Sequence, residues 1–185
     1  MFISEPTSQN ILRDKPASFE CIVESNPKPT VTWFYRKKEL SVKDGVKIEK
    51  DSLKNKYKLI IQKTNDKSIG IYRVKAVNDF GSETREIELN VEDMPKITNK
   101  LENKTVTEND EVQMFVQFIG KPMPNCKWYL DEQEITSERI ETVDSKSTLI
   151  LKECKASNDS GVYQAKVFND HGEVTSNKGA LTINS

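Results

Sequence analysis

The feature that most constrains this chain is that it repeats itself without a gap. FECIVESNPKPTVTWFYRKKEL, Phe19 to Leu40, lies over MFVQFIGKPMPNCKWYLDEQEI, Met114 to Ile135, pairing Pro27 with Pro122, Pro29 with Pro124 and Trp33 with Trp128. A second block, Gly70 to Gly81 (GIYRVKAVNDFG), lies over Gly161 to Gly172 (GVYQAKVFNDHG) in the same order. Two registered blocks mean one domain type used twice, and 185 residues suit two domains of about 100 residues each. The expected division is 1–92 and 93–185, with a linker at about 92–94.

Within each copy the apolar period is two. Phe19, Cys21 and Val23 alternate with Glu20, Ile22 and Glu24, and Met114, Val116 and Phe118 do likewise, which predicts strands with one buried face. Further strands are expected at Val31–Tyr35, Tyr57–Ile61, Tyr72–Asn78 and Arg85–Val91, and helical spacing is nowhere sustained. Asn78 to Gly81 and Asn169 to Gly172 read as hairpin turns, since Asn and Gly tolerate positive φ. The fold class is therefore all-β: two tandem β-sandwiches, end to end.

Composition removes several function classes. The chain is 35% hydrophobic and 31% charged with a net charge of -1, which argues against a nucleic-acid footprint. The charge is uneven: residues 1–92 hold 17 Lys and Arg against 14 Asp and Glu, a net of +3, and residues 93–185 hold 11 against 15, a net of -4. No apolar run approaches the ~20 residues of a membrane span, and the first residues lack the form of a secretory signal. His171 is the only histidine and falls in an expected turn, and the three cysteines are dispersed. No Ser-His or Cys-His pair, zinc spacing or phosphate loop can be assembled. The sequence predicts no enzyme, no cofactor, no metal and no small-molecule substrate.

With those residues in view, both halves resemble immunoglobulin domains of the intermediate (I) set. The resemblance is carried by the strand-B core position, the Pro-x-Pro loop, the strand-C tryptophan, the apolar strand E at LILKEC (Leu149 to Cys154), the G-x-Y corner and the N-x-x-G hairpin. It implies a core built on Cys21, Trp33, Leu59, Tyr72 and Val74 in the first domain and on Val116, Trp128, Leu149, Tyr163 and Ala165 in the second. The corner reads D-S-G-V-Y only in the second copy; in the first, S-I-G-I-Y from Ser68 suggests a differently supported tyrosine. Such domains usually join strands B and F by a disulfide. The corresponding positions here are Cys21 with Val74 and Val116 with Ala165, so neither bridge can form. Cys126 and Cys154 are expected at opposite ends of their sandwich, giving three free thiols and a reducing, cytoplasmic setting. The sequons at Asn103 and Asn158 weigh less than the missing cysteines.

Tandem disulfide-free domains on a very short linker are similar to the repeats of giant muscle proteins of the titin, twitchin and obscurin type. That resemblance implies a non-catalytic structural segment of a sarcomeric or cytoskeletal filament, serving as load-bearing spacer and protein-docking module. Its partners would be sarcomeric or actin-associated proteins and neighbouring domains of the same chain, with no nucleic acid and no membrane. The alternative is an extracellular adhesion or receptor ectodomain that lacks the usual disulfides. For a docking site the sequence offers Arg36, Lys37 and Lys38, followed by lysines at 43, 47, 50, 54, 56 and 58 among interspersed acids. Open sheet edges offer a second binding mode. Met94 and Pro95 are expected to pack at the junction as a semi-rigid hinge.

Overall fold

The computed structural model describes residues 1–185, the side chain of Ser137 excepted. The chain divides into two compact units, Met1–Glu92 and Asp93–Ser185. In the first, β1 (Phe2–Ser4), β3 (Ala17–Val23), β7 (Lys56–Ile61) and β6 (Val46–Asp51) form one antiparallel sheet in the order β1-β3-β7-β6. The facing sheet contains β4 (Thr30–Tyr35), β5 (Lys38–Glu39), β8 (Gly70–Asn78) and β9 (Gly81–Ile97), with β2 (Gln9–Leu12) added to β9. Strand β9 runs through the division: up to Glu92 it pairs with β8 and β2, and from Asp93 it pairs with β11 (Val112–Lys121).

The second unit repeats the plan. Its first sheet runs β14 (Ile140–Val143), β15 (Lys146–Leu151), β11 and the end of β9. The other runs β10 (Lys104–Thr107), β18 (Gly179–Asn184), β16 (Gly161–Asn169), β12 (Asn125–Leu130) and β13 (Gln133–Glu134), with β17 (Gly172–Thr175) on β16. One turn of helix, α1 (Ala156–Asp159), precedes β16.

Alternation produces the cores directly. In β3, Ala17, Phe19, Cys21 and Val23 are buried while Glu20 is exposed, and in β11 Val112, Met114, Val116 and Phe118 are buried with exposed residues between. Full burial of each Val, Phe or Met side chain among these contributes about 1.5–3 kcal/mol. Trp33 lies opposite Val74 across β4 and β8, and Trp128 lies opposite Ala165 across β12 and β16. All four are fully buried, as are Cys21, Leu59, Val116 and Leu149, and Tyr72 and Tyr163 are buried with them.

The two turn asparagines act through their side chains rather than through positive φ. Asn78 Nδ2 donates to Pro27 O at 3.1 Å and Ser25 Oγ at 2.7 Å, while its Oδ1 accepts from Phe80 N at 3.0 Å. Asn169 repeats this with Pro122 O at 3.1 Å, Asp93 O at 2.9 Å and His171 N at 3.0 Å. The positive φ falls on the glycines, +155° at Gly81 and +151° at Gly172. Each hairpin is thereby tied to its own proline loop.

Candidate functional site

Both tyrosine corners close the same way. Tyr72 Oη donates to Ser68 O at 2.9 Å and Tyr163 Oη to Asp159 O at 2.7 Å, each reaching back four residues. What differs is the residue under the corner. In the second unit the buried Asp159 carboxylate accepts from Lys155 N at 2.9 Å and from Arg139 Nη1 at 2.6 Å. In the first unit the Ser68 hydroxyl takes that place, accepting from Asn65 N at 3.1 Å. Burial raises both phenols above the ordinary tyrosine range, Tyr35 adding to the shift at Tyr72 and Asp159 at Tyr163.

The three cysteines are free thiols. Cys21 and Cys154 are buried, and Cys126 is half-buried. Burial pushes the Cys21 thiol up to about 12, reinforced by the Glu20 carboxylate, and Cys126 is raised by burial against a hydrogen bond with Ser147. A raised thiol holds little thiolate at neutral pH, so Cys21 and Cys126 act as small hydrophobes.

The basic segment does not form one face. Arg36 and Lys37 make the two-residue turn between β4 and β5, where Tyr35 pairs with Lys38. The lysines at 47, 50, 56 and 58 stand on β6 and β7, in the opposite sheet. There Lys58 lies between Glu49 and Glu20 in register, and Lys56 pairs with Glu20 at 2.6 Å, so charges of both signs interleave. The turn is a different environment. Arg36, at φ +56°, stacks its guanidinium 5.1 Å from the Tyr35 ring centroid. Its N donates to Ile71 O at 3.1 Å, and its carbonyl accepts from Arg73 Nη1 at 2.8 Å. Lys38 pairs with Asp44, and this ion pair holds the Asp44 carboxyl below its usual range. Arg36, Lys37 and Lys38 are all exposed, and among the described residues neither Arg36 nor Lys37 has a carboxylate partner.

The candidate site is thus this pinned, cationic hairpin tip. Both sandwiches also expose sheet edges, at β6 in the first unit and β14 in the second, and β6 carries Lys47 and Lys50 as a guard against indiscriminate strand addition. His171 sits in the turn between β16 and β17. Among the described residues no group of three or more His, Cys, Asp or Glu could hold a metal ion, and no helix is long and apolar enough to cross a membrane.

Comparison with known proteins follows the same division. The profile of the immunoglobulin I-set domain matches residues 1–91 and again 95–182. The muscle M-line assembly protein unc-89 of Caenorhabditis elegans is 26% identical over 180 residues, covering 93% of this chain and 2% of that protein. Neural cell adhesion molecule 1 of Gallus gallus is 31% identical over 170 residues, covering 83% of this chain and 15% of its own length. Among solved structures, the I-band fragment I67-I69 from titin superposes with a TM-score of 0.83 at 24% identity, covering 99% of this chain and 65% of the fragment. The chain therefore spans a small part of the curated relatives it matches.

Proposed function

The chain belongs to the immunoglobulin I-set family, and on that premise we propose that it is a non-catalytic, load-bearing and protein-docking segment of a large sarcomeric or cytoskeletal protein in the cytoplasm. The observation that carries the reading is the pairing of the strands near the ends of each unit. Gln9–Leu12 pairs in parallel with Leu89–Glu92, and Lys104–Thr107 with Leu181–Asn184. When a chain is pulled from both ends, two parallel strands near those ends slide past each other. Their hydrogen bonds are loaded together rather than opened one by one. That arrangement suits a spacer under tension, and separately foldable units in series suit extension by steps.

Two further observations support the intracellular form of the reading. Cys21 and Val74 are buried in one core and Val116 and Ala165 in the other, at the positions where the family usually places its disulfide, so oxidation adds no cross-link between the sheets there. The similarity to a muscle M-line assembly protein agrees with a sarcomeric parent. The second reading, an adhesion segment lacking disulfides, is favoured by the similarity to a neural cell adhesion molecule and by the exposure of Asn103 and Asn158. Thiol titration and mass analysis of the native protein separate the two: three free thiols with unmodified Asn103 and Asn158 fit the first, and glycans on either asparagine fit the second.

The docking role is assigned to Arg36, Lys37 and Lys38, with an acidic protein surface as partner. Affinity capture from muscle extract, using the chain and its R36E/K37E/K38E variant as baits, tests it. A sarcomeric or actin-linked protein held by the wild type and lost by the variant is the expected result. Equal capture by both shows that the hairpin tip does not dock a protein of the extract.

A further inference from the structure

A two-residue turn occurs at the same place in both units with its charge inverted. In the repeat, Arg36 and Lys37 lie over Asp131 and Glu132. The registers agree: Tyr35 pairs with Lys38 around the first turn, and Leu130 with Gln133 around the second. Both tips are pinned to the neighbouring strand, Arg36 N donating to Ile71 O at 3.1 Å and Asp131 N to Val162 O at 2.9 Å. Val162 N returns a bond to Asp131 Oδ1 at 2.9 Å. All four charged residues are exposed, and among the described residues none is in an ion pair.

A second feature sets the acidic turn apart. Asp131 and Glu132 both have positive φ, +45° and +69°. A turn of that shape favours Asn-Gly or Asp-Gly, and a glutamate there is strained. Local strain held at an exposed tip is where a functional requirement is to be sought. The depression beside it, about 210 Å³, is lined by Asp131, Glu132, Val162, Gln164 and Lys178, two carboxylates to one cation, so this surface retains a net negative charge.

From this we infer that the partner of the basic turn is a second copy of this chain: Arg36 and Lys37 of one molecule dock on Asp131 and Glu132 of another. The inference rests on the docking role assigned to the basic turn above and names its acidic partner. The two tips are pre-organised by the backbone bonds just described, so little conformational freedom is lost on contact. The opposite net charges of the two halves, +3 and -4, favour encounter in this pairing over like with like. Because the two surfaces differ, each molecule offers one of each kind, and the contact either closes as a reciprocal pair or continues into lateral assemblies.

Sedimentation velocity of the 185-residue chain, over a concentration series at about 20 mM and about 300 mM salt, tests the inference. Lys37 and Glu132 are the residues to exchange, because both are exposed and hold no side-chain bond among the described residues; near-UV circular dichroism checks that the variants fold. The wild type should associate reversibly at low salt and separate at high salt. Lys37→Glu and Glu132→Lys should each weaken association about tenfold, while an equimolar mixture of the two, or the chain carrying both, regains it. A wild type that stays monomeric at low salt, or association indifferent to these exchanges, overturns the inference. If the chain is monomeric but capture from extract still depends on Arg36, Lys37 and Lys38, this inference fails and the docking reading stands. If the exchange pattern appears while capture is indifferent, the inference stands without a partner from the extract.

Discussion

Ser147→Ala isolates the value of one buried hydrogen bond, because the two units contain the same tryptophan in two states. Trp128 Nε1 donates to Ser147 Oγ at 3.0 Å in a fully buried site. Trp33 Nε1 is equally buried and has no partner among the described residues, since Tyr57 of β7 occupies the position that Ser147 fills in β15. Removing the Ser147 hydroxyl changes volume little but strands the Trp128 donor, and a buried donor left unsatisfied costs about 1–3 kcal/mol. Thr142, whose Oγ1 also donates to Ser147 at 3.0 Å, is exposed and turns to water, so it adds little to the loss. In a unit of this size each kcal/mol moves the midpoint by about 4–8 °C. Urea unfolding followed by fluorescence measures the effect, in a Trp33→Phe background that leaves Trp128 as the sole indole. Trp33→Phe leaves a cavity in the first unit's core, a cost the discarded orphan N–H offsets only in part, but Trp128 then reports on the second unit alone. A Ser147→Ala variant within about 0.3 kcal/mol of its background, against the 1–3 kcal/mol expected, would refute the argument.

Gly161→Ala should lower the second unit's stability far more than Gly81→Ala lowers the first's. Both glycines have φ near +150°, but a Cβ at Gly161 would stand 2.5 Å from Asp131 Oδ2 and 2.6 Å from Leu130 Cδ1, whereas nothing lies within 4 Å of one at Gly81; paired thermal melts giving equal losses would contradict this. The buried Cys21 thiol makes the first unit sensitive to alkali. Its pKa is raised in the folded state to about 12, against about 8.5 when exposed, so its contribution is complete below pH ~8.5 and is lost as pH rises towards about 12. Urea midpoints from pH 8 to 10 should therefore fall for the wild type and stay flatter for Cys21→Val, and parallel curves would count against it. Val106→Pro removes a backbone donor from β10, where Val106 pairs with Ile183 in the parallel ladder; force spectroscopy should show the second unit opening at lower force, and an unchanged force would show that this ladder does not carry the load.

Much of the fold was legible because the signals were redundant. The ungapped repeat, the alternation through Phe19, Cys21 and Val23, and the paired tryptophans each imply the same sandwich, and I-set membership is the result. What escaped reading depends on register and burial, which a sequence states only indirectly. Asp159 is a carboxylate, and carboxylates are ordinarily solvated, yet it is buried under the tyrosine corner by its bond to Arg139. Ser147 acquires meaning only when β15 is aligned so that it meets Trp128. The lysine-rich segment reads as one cluster along the chain, but strand pairing sends Lys38 to one sheet and Lys47 to the other. Asp131 and Glu132 were within reach of the sequence, since the repeat lays them directly over Arg36 and Lys37; their importance comes from the pinned, positive-φ turn that presents them.

If this pair of domains bears load without a disulfide, as proposed, single-molecule stretching of the chain between its two ends reads it out. Two separate unfolding events are expected, each releasing about 30 nm of chain, at forces that do not change when reductant is added. A single merged event, opening at negligible force, or dependence on reductant would contradict it.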